Sequence, residues 1–368
     1  MPDGIERGQR RPFEQELPGE GCPVQLAGGQ GVGSDLPILV ALSMRASRGS
    51  KCRMLWDEEF ERQRPTLREE ADAFLADFDL AAPDDMPLDE WLAALRDRHL
   101  SGVPPSDKAI DRTIAGPAGP VRLRTFVPET VDAVMLHIHG GGFVAGDPEM
   151  TDVLHEILST ELNLAFVSVD YRLAPEHPYP AGPDDCEAAA AWLVEYAEAE
   201  FGSGHLLIGG ESAGAHLSVC TLLRVRDRLD AVDRFHGANL VFGIYDLSRT
   251  PSQRGVDERP DVLTVPGMVR FTECFTPGLS PEERRVPDIS PLYADLRGLP
   301  PAQFTVGADD HLVDDTLFLA SRWQLAGSRA ELLVYPEGPH GCIGMPTIGG
   351  HWFPRLTEFL RGCITHGR

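Results

Sequence analysis

Apolar residues along this chain change their spacing several times, and the changes mark its elements. From Met54 to about His99 they fall at helical intervals. Phe60, Leu67, Phe74, Leu75 and Phe78 share this stretch, with Arg68, Glu69, Glu70 and Asp72 on the wet face. Pro65 predicts a fresh helix start, because proline fits a first turn and breaks a helix interior. Pro83 to Pro87 interrupts the pattern, and Trp91, Leu92 and Leu95 begin a short helix after Asp89 as its N-cap. Near residue 109 the spacing becomes two. Ala109–Ala115 and Val121–Val127 alternate around Gly116-Pro117-Ala118-Gly119-Pro120, which predicts an antiparallel hairpin. Ala133 to His139 is continuously apolar, as in a strand buried on both faces.

Helical and strand patterns then alternate. Helix 151–162 leads to strand Leu164–Val169, helix Ala181–Ala199 to strand His205–Ile208, and helix Ala215–Arg226 to strand Ala238–Phe242. Strands Ala302–Val306 and Glu331–Tyr335 follow, with a last helix from about Trp352. This order predicts an α/β fold: a mostly parallel central sheet with helices on both faces.

Residues 1–53 stand apart. They are rich in Gly and Pro and carry little periodicity. They are expected to be loosely packed, as a disordered extension or an over-long start with Met44 or Met54 as the real initiator. Arg10-Arg11-Pro12-Phe13 resembles a twin-arginine export signal only faintly, and export is not expected, because the apolar run Leu36–Leu42 lies more than twenty residues behind it. Residues 54–105 are expected to form an N-terminal helical cap, and 106–368 the main domain. An insert at about 248–288, with several prolines and many charges, breaks the alternation and completes the cap.

The 368 residues suffice for one large α/β domain with a small cap. A net charge of −24 argues against a nucleic-acid surface and against electrostatic attachment to anionic lipid. No apolar run approaches the roughly 20 residues of a membrane span. Seven cysteines, scattered and without a C-x-x-C, argue against a disulfide framework or zinc site and fit a reducing cytoplasm.

The candidate chemistry centres on Gly210-Glu211-Ser212-Ala213-Gly214, a G-x-S-x-G pattern between a strand and a helix. A serine hydroxyl needs a base within reach, and the base needs an orienting acid. The base is expected on a loop after the last strand, where His340 stands in Pro336-Glu337-Gly338-Pro339-His340-Gly341. Most of the other histidines are expected at the surface. The acid is expected after the preceding strand; Asp310 is the first choice and Asp309 the second. Asp314 and Asp315 read as helix N-terminal charges. His139-Gly140-Gly141-Gly142 follows the apolar strand, and its backbone N–H groups can face a developing oxyanion together with that of Ala213.

These motifs, with the long Asp170-Tyr171-Arg172-Leu173-Ala174-Pro175-Glu176-His177-Pro178-Tyr179-Pro180-Ala181 stretch, resemble the hormone-sensitive lipase family of esterases over about residues 109–362. The resemblance implies an α/β-hydrolase fold and hydrolysis of short- to medium-chain carboxylic esters, with no metal and no organic cofactor. By position it assigns Ser212 as nucleophile, His340 as base, Asp310 as acid, and Gly140, Gly141 and Ala213 as oxyanion donors. His139, Gly142, Glu211 and Tyr171 support them, with Tyr171 bracing the oxyanion loop and Arg172 paired with Glu176. Glu211 departs from the commoner Asp or Thr. The same triad would also serve amides, formamides, lactones or carbamates. A receptor without catalysis, as in the plant gibberellin receptors, lacks the histidine that is present here. A lipid-interface lipase would favour an apolar lid, whereas the insert is charged. The expected partner is a small ester, and a homodimer through the last strand and helix is open.

Overall fold

The period-two alternation of the strands sorts their side chains onto two sheet faces, and each face is covered by helices. The structure is a computed structural model that describes residues 55–56, 58–77, 86–97, 104–255 and 262–366. The expectations for 1–53 therefore lie outside the described residues, as does the charged stretch 256–261. The elements are α1 (Glu58–Asp77), α2 (Leu88–Asp97), β1 (Ile110–Gly116), β2 (Gly119–Phe126), β3 (Ala133–Ile138), α3 (Asp152–Leu162), β4 (Leu164–Asp170), α4 (Ala181–Phe201), β5 (Leu206–Glu211), α5 (Ala213–Arg224), β6 (Phe235–Val241), α6 (Val265–Phe275), β7 (Ala302–Gly307), α7 (Val313–Leu325), β8 (Ala330–Tyr335) and α8 (Pro346–His366).

The eight strands lie in the order β1-β2-β4-β3-β5-β6-β7-β8. The β1–β2 hairpin turns at Gly116 and Gly119, and β2 runs antiparallel to β4. From β4 to β8 all neighbours are parallel. All six residues of β3 are buried, as its run of apolar residues, interrupted only by His137, predicts. On one face Leu136, Ile138, Val167, Ile208 and Phe304 pack under α4, α5 and α7 through Leu193, Leu217 and Trp323. On the other, Met135, Phe166, Leu207 and Val306 meet α3 and α8 through Leu158, Leu356 and Phe359.

The chain leaves β3 toward β4 on one side and crosses back through α4 to β5 on the other. The carboxyl ends of β3 and β5 are therefore adjacent and diverge, which makes the crevice where open α/β sheets bind ligands. Both the 139–142 glycine loop and the Ser212 turn emerge there.

Pro65 does not start a helix: α1 runs unbroken through it. An internal proline removes one hydrogen bond and costs about 3 kcal/mol. Anchors on both sides outweigh that loss. Phe60, Leu67 and Ala71 are buried against the α8 side of the core, and Arg64 and Arg68 both bind Glu337. The last helix begins six residues earlier than expected, at Pro346. No described helix is long and apolar enough to cross a membrane.

Candidate active site

Ser212 sits where β5 turns into α5, at φ 54 and ψ −118. An L-residue rarely adopts this backbone, and strain of this kind is held by the packing around it. The flanking glycines explain why the turn closes. A Cβ at Gly210 would lie 2.1 Å from the Ile138 carbonyl oxygen, and one at Gly214 only 1.9 Å from the same atom. The Ser212 N–H donates to Val241 O at 2.9 Å and ties the turn to β6.

His340 lies on the loop after β8, with Nε2 3.1 Å from Ser212 Oγ and Nδ1 2.9 Å from Asp310 Oδ2. A carboxylate only accepts, so Nδ1 carries the proton and Nε2 is left to accept from the serine. The other carboxylate oxygen, Asp310 Oδ1, accepts the Leu312 N–H at 2.8 Å. The Phe242 ring lies edge-on to the imidazole, with centroids 4.6 Å apart. It is Asp310 rather than Asp309 that meets His340. Asp314 and Asp315, in the first turn of α7, bind the segment after β6. Asp314 accepts the Ser252 N–H, and Asp315 accepts from Tyr245 N, Asp246 N, Thr250 Oγ1 and Gln253 Nε2.

The glycine loop is held from both ends. The Tyr171 hydroxyl donates to His139 O at 3.1 Å, and the two rings stack 4.3 Å apart. His139 Nδ1 donates to Gly140 O at 2.8 Å. Burial lowers the pKa of His139 to about 4 despite that carbonyl, so the ring is neutral. Gly141 and Gly142 both have positive φ, 107° and 62°. A Cβ at Gly141 would lie 2.1 Å from Ala145 O, so the turn requires glycine there.

One expected donor is committed elsewhere: the Gly140 N–H donates to Glu211 Oε1 at 2.8 Å. Oε2 of the same carboxylate lies 3.0 Å from His137 Nε2. Burial opposes the charge of Glu211, but His137 and the Gly140 N–H outweigh it and hold the carboxyl below its usual range. The glutamate in place of a commoner Asp or Thr therefore has a partner in the adjacent loop.

Two further expectations are corrected. Arg172 does not pair with Glu176; it binds Asp185 through Nε at 2.8 Å and Nη2 at 2.9 Å. Asp185 is one turn into α4 and buried, whereas Glu176 is taken by Arg96 of α2. Arg96 also donates to Val144 O and Ala174 O, so it fastens α2 to the strand-end loops. Nor are most other histidines at the surface. His137, His139, His155, His216 and His311 are buried with His340, several of them in ring stacks or on backbone carbonyls.

Sequence reasoning also passed over Glu337, three residues before His340. Its side chain is 3% exposed and accepts from Arg64 and Arg68 of α1. Phe74 of α1 lies against Gly341 and Gly344. The only hint of these contacts was the pair of arginines one helical turn apart. Among the described residues no group of three or more His, Cys, Asp or Glu is placed to hold a metal ion.

Comparison with known proteins matches residues 135–344 to a family with the alpha/beta hydrolase fold. The chain is 33% identical over 263 residues to the carboxylic ester hydrolase LipN of Mycobacterium tuberculosis, covering 70% of each chain. Its structure is similar to a hyperthermophilic esterase from the archaeon Pyrobaculum calidifontis (TM-score 0.71, 29% identity, 81% of this chain and 97% of that one). It is also similar to a hormone-sensitive lipase from a metagenome library (TM-score 0.64, 27% identity, 83% and 98%). This chain belongs to the alpha/beta hydrolase fold family and, within it, to the hormone-sensitive lipase group of carboxylesterase-type hydrolases.

Proposed function

We propose that this hydrolase cleaves short- to medium-chain carboxylic esters by two-step acyl transfer at Ser212. The single observation that carries the reading is the continuous contact from Asp310 through His340 to Ser212 Oγ at the strained turn. Ser212 Oγ bonds to the ester carbonyl carbon while His340 Nε2 takes its proton. Asp310 holds the imidazole and stabilises its cation. The carbonyl electrons move onto oxygen and return as the bond to the alcohol breaks, and His340 gives the alcohol its proton. Water then repeats the sequence on the acyl-enzyme and releases the acid.

Because the Gly140 N–H is bound to Glu211, the oxyanion donors in this reading are Gly141, Gly142 and Ala213, with Gly140 fixing the loop. Losing one such donor typically lowers turnover by about 10²–10³. Helices α1 and α2, with the insert 248–288, serve as the cap; the Trp91 and Phe271 rings, 5.0 Å apart, support the association of α2 with the insert. The charged insert favours dissolved esters over lipid interfaces. Five free, buried cysteines among the described residues support a cytoplasmic setting, and β8 as an edge strand supports pairing with a second copy.

A panel of aryl esters of increasing acyl length tests the substrate class. A maximum between about two and six acyl carbons is expected. Activity confined to amides, or to chains above about ten carbons, would overturn it.

A further inference from the structure

Between the segment after β6, helix α6 and the segment that follows α6 lies a half-open cavity of about 480 Å³, within the size range of small-molecule sites. Neither Ser212 nor His340 lines it. Leu247, Val269 and Pro281 give it apolar walls, and Arg249, Arg254 and Arg285 bring three guanidiniums to it. Arg284 lines it too, but its guanidinium is taken by Glu273 and Thr276.

The three arginines are arranged around one buried residue, Ser248. Its carbonyl accepts from Arg254 Nη2 and its hydroxyl from Arg285 Nε, both at 3.0 Å. Arg285 also lies over the Tyr293 ring, 5.9 Å from its centroid. Arg249 follows Ser248 in the chain with φ 75°, and its N–H donates to Asp246 O at 3.1 Å. These contacts use one side-chain N–H of Arg254, one of Arg285 and none of Arg249. A guanidinium has five such donors, so most stay open. Among the described residues none of the three forms an ion pair. Acids are not scarce in this chain, which has 57 against 33 basic residues. Arg228, Arg297, Arg329 and Arg361 are exposed as well, yet each binds a carboxylate. Glu282 lines the same cavity and pairs with none of the three.

The chemistry of the wall selects the ligand. Three open guanidiniums outweigh the one carboxylate of Glu282, so the cavity attracts an anion and repels a cation. The guanidinium fork matches the paired oxygens of a carboxylate or phosphate group. A bare inorganic ion would leave Leu247, Val269 and Pro281 facing water, whereas a hydrocarbon chain covers them.

We propose that this cavity binds a small organic anion, a carboxylate or phosphate group on a short hydrocarbon chain, held by Arg249, Arg254 and Arg285. The site shares no residue with the triad and stands independently of the hydrolase reading.

The test is calorimetric titration of the full-length protein with hexanoate and hexyl phosphate, beside inorganic phosphate, hexan-1-ol and hexylamine. At least one of the two organic anions should bind, and the tighter of them identifies the head group. The alcohol and the amine should not bind, and inorganic phosphate should bind at least about tenfold more weakly than hexyl phosphate. Arg249→Gln, Arg254→Gln and Arg285→Gln should each weaken binding about tenfold, as loss of a hydrogen bond to a charged group does. Glu282→Gln removes the opposing charge and should tighten it, a gain that a damaged fold would not give. Added salt should weaken binding, because a half-open site is screened. Absence of binding by both organic anions up to about 10 mM would overturn the site. So would unchanged affinity in a folded variant carrying all three Arg→Gln changes, since the anion would then sit elsewhere. Hexan-1-ol binding as tightly as the anions would refute recognition by the guanidiniums. Inorganic phosphate binding as tightly as hexyl phosphate would refute the part given to the apolar walls.

Discussion

Glu211, the residue before Ser212, accepts the Gly140 N–H through Oε1 at 2.8 Å and thereby ties the end of β5 to the loop after β3. The two residues are 71 positions apart, yet a Cβ at Gly140 would lie only 3.5 Å from Ser212 Cβ. A shift of the loop would move whatever donors it offers to the reacting carbonyl. Glu211→Gln keeps an acceptor oxygen for Gly140, so kcat within about threefold of wild type is expected. Glu211→Ala leaves a buried N–H unpaired, which costs about 1–3 kcal/mol. Its kcat should fall at least about tenfold with little change in KM. Equal kcat values for the two variants would show that the contact does not position the loop.

The neighbouring carboxylates after β7 give a second expectation. Asp310 faces His340 Nδ1 with one oxygen and the Leu312 N–H with the other, so both are committed. An asparagine there keeps the Leu312 bond by turning its amide toward Nδ1, which forces the wrong tautomer. In a Ser-His-Asp triad such a change lowers kcat by about 10⁴. Asp310→Asn should show a loss of that order, and Asp309→Asn a loss below about threefold. Ser212→Ala should reduce turnover to background while its circular dichroism is unchanged. Greater loss from Asp309→Asn than from Asp310→Asn would reverse the assignment of the acid.

Much of this arrangement is legible in the sequence because it rests on local rules. The parallel strands announce themselves as apolar runs, as Ala133–Ile138 does. The strand–turn–helix context of Ser212 follows from glycines that the backbone cannot replace. What stayed hidden depends on partners far apart in the chain. Arg172 had acids available 4 and 13 positions away, and charge alone does not choose between Glu176 and Asp185. The choice is made by burial of Asp185 and by Arg96, 80 residues before Glu176. Likewise, nothing local says that Gly140 donates to Glu211. Pro65 misled because a local breaker rule was outweighed by tertiary anchors on either side of it.

Those anchors carry a third expectation. Glu337 is buried under α1, and its carboxylate is held below the usual range, against the effect of burial, by Arg68 and Arg64. Both arginines are substantially exposed, so the pairing matters mainly because the glutamate is not. Arg64→Met with Arg68→Met leaves a charge without a partner beside the His340 loop. A drop of about tenfold in kcat/KM and a lower thermal midpoint are expected. Adding Glu337→Gln to that double variant removes the stranded charge and should restore part of both, a non-additivity that neighbours show and distant sites do not. If the triple variant is worse than the double, the contact does not act through the charge of Glu337.

The buried histidines set the acid limit of the fold. Burial lowers His139 and His216 to about 4 and His155 well below its ordinary value. In the unfolded chain each titrates near 6.5. At pH 5.5 each therefore takes up roughly 0.9 proton on unfolding, so the unfolded state binds more protons and stability falls as pH falls. Asp315 has the opposite sign. Its burial, only partly offset by its four hydrogen bonds, pushes it up to about 7, so it is protonated in the folded state at pH 5.5 and releases roughly one proton on unfolding. The net uptake is about two protons, and between pH 7.5 and 5.5 about 2 kcal/mol of stability should be lost. Urea midpoints across this window measure it. In Asp315→Asn the opposing proton is gone, so the uptake should rise to about three and the slope steepen. A slope that is flat in the wild type, or unchanged in Asp315→Asn, would mean that these groups keep ordinary protonation in the folded protein.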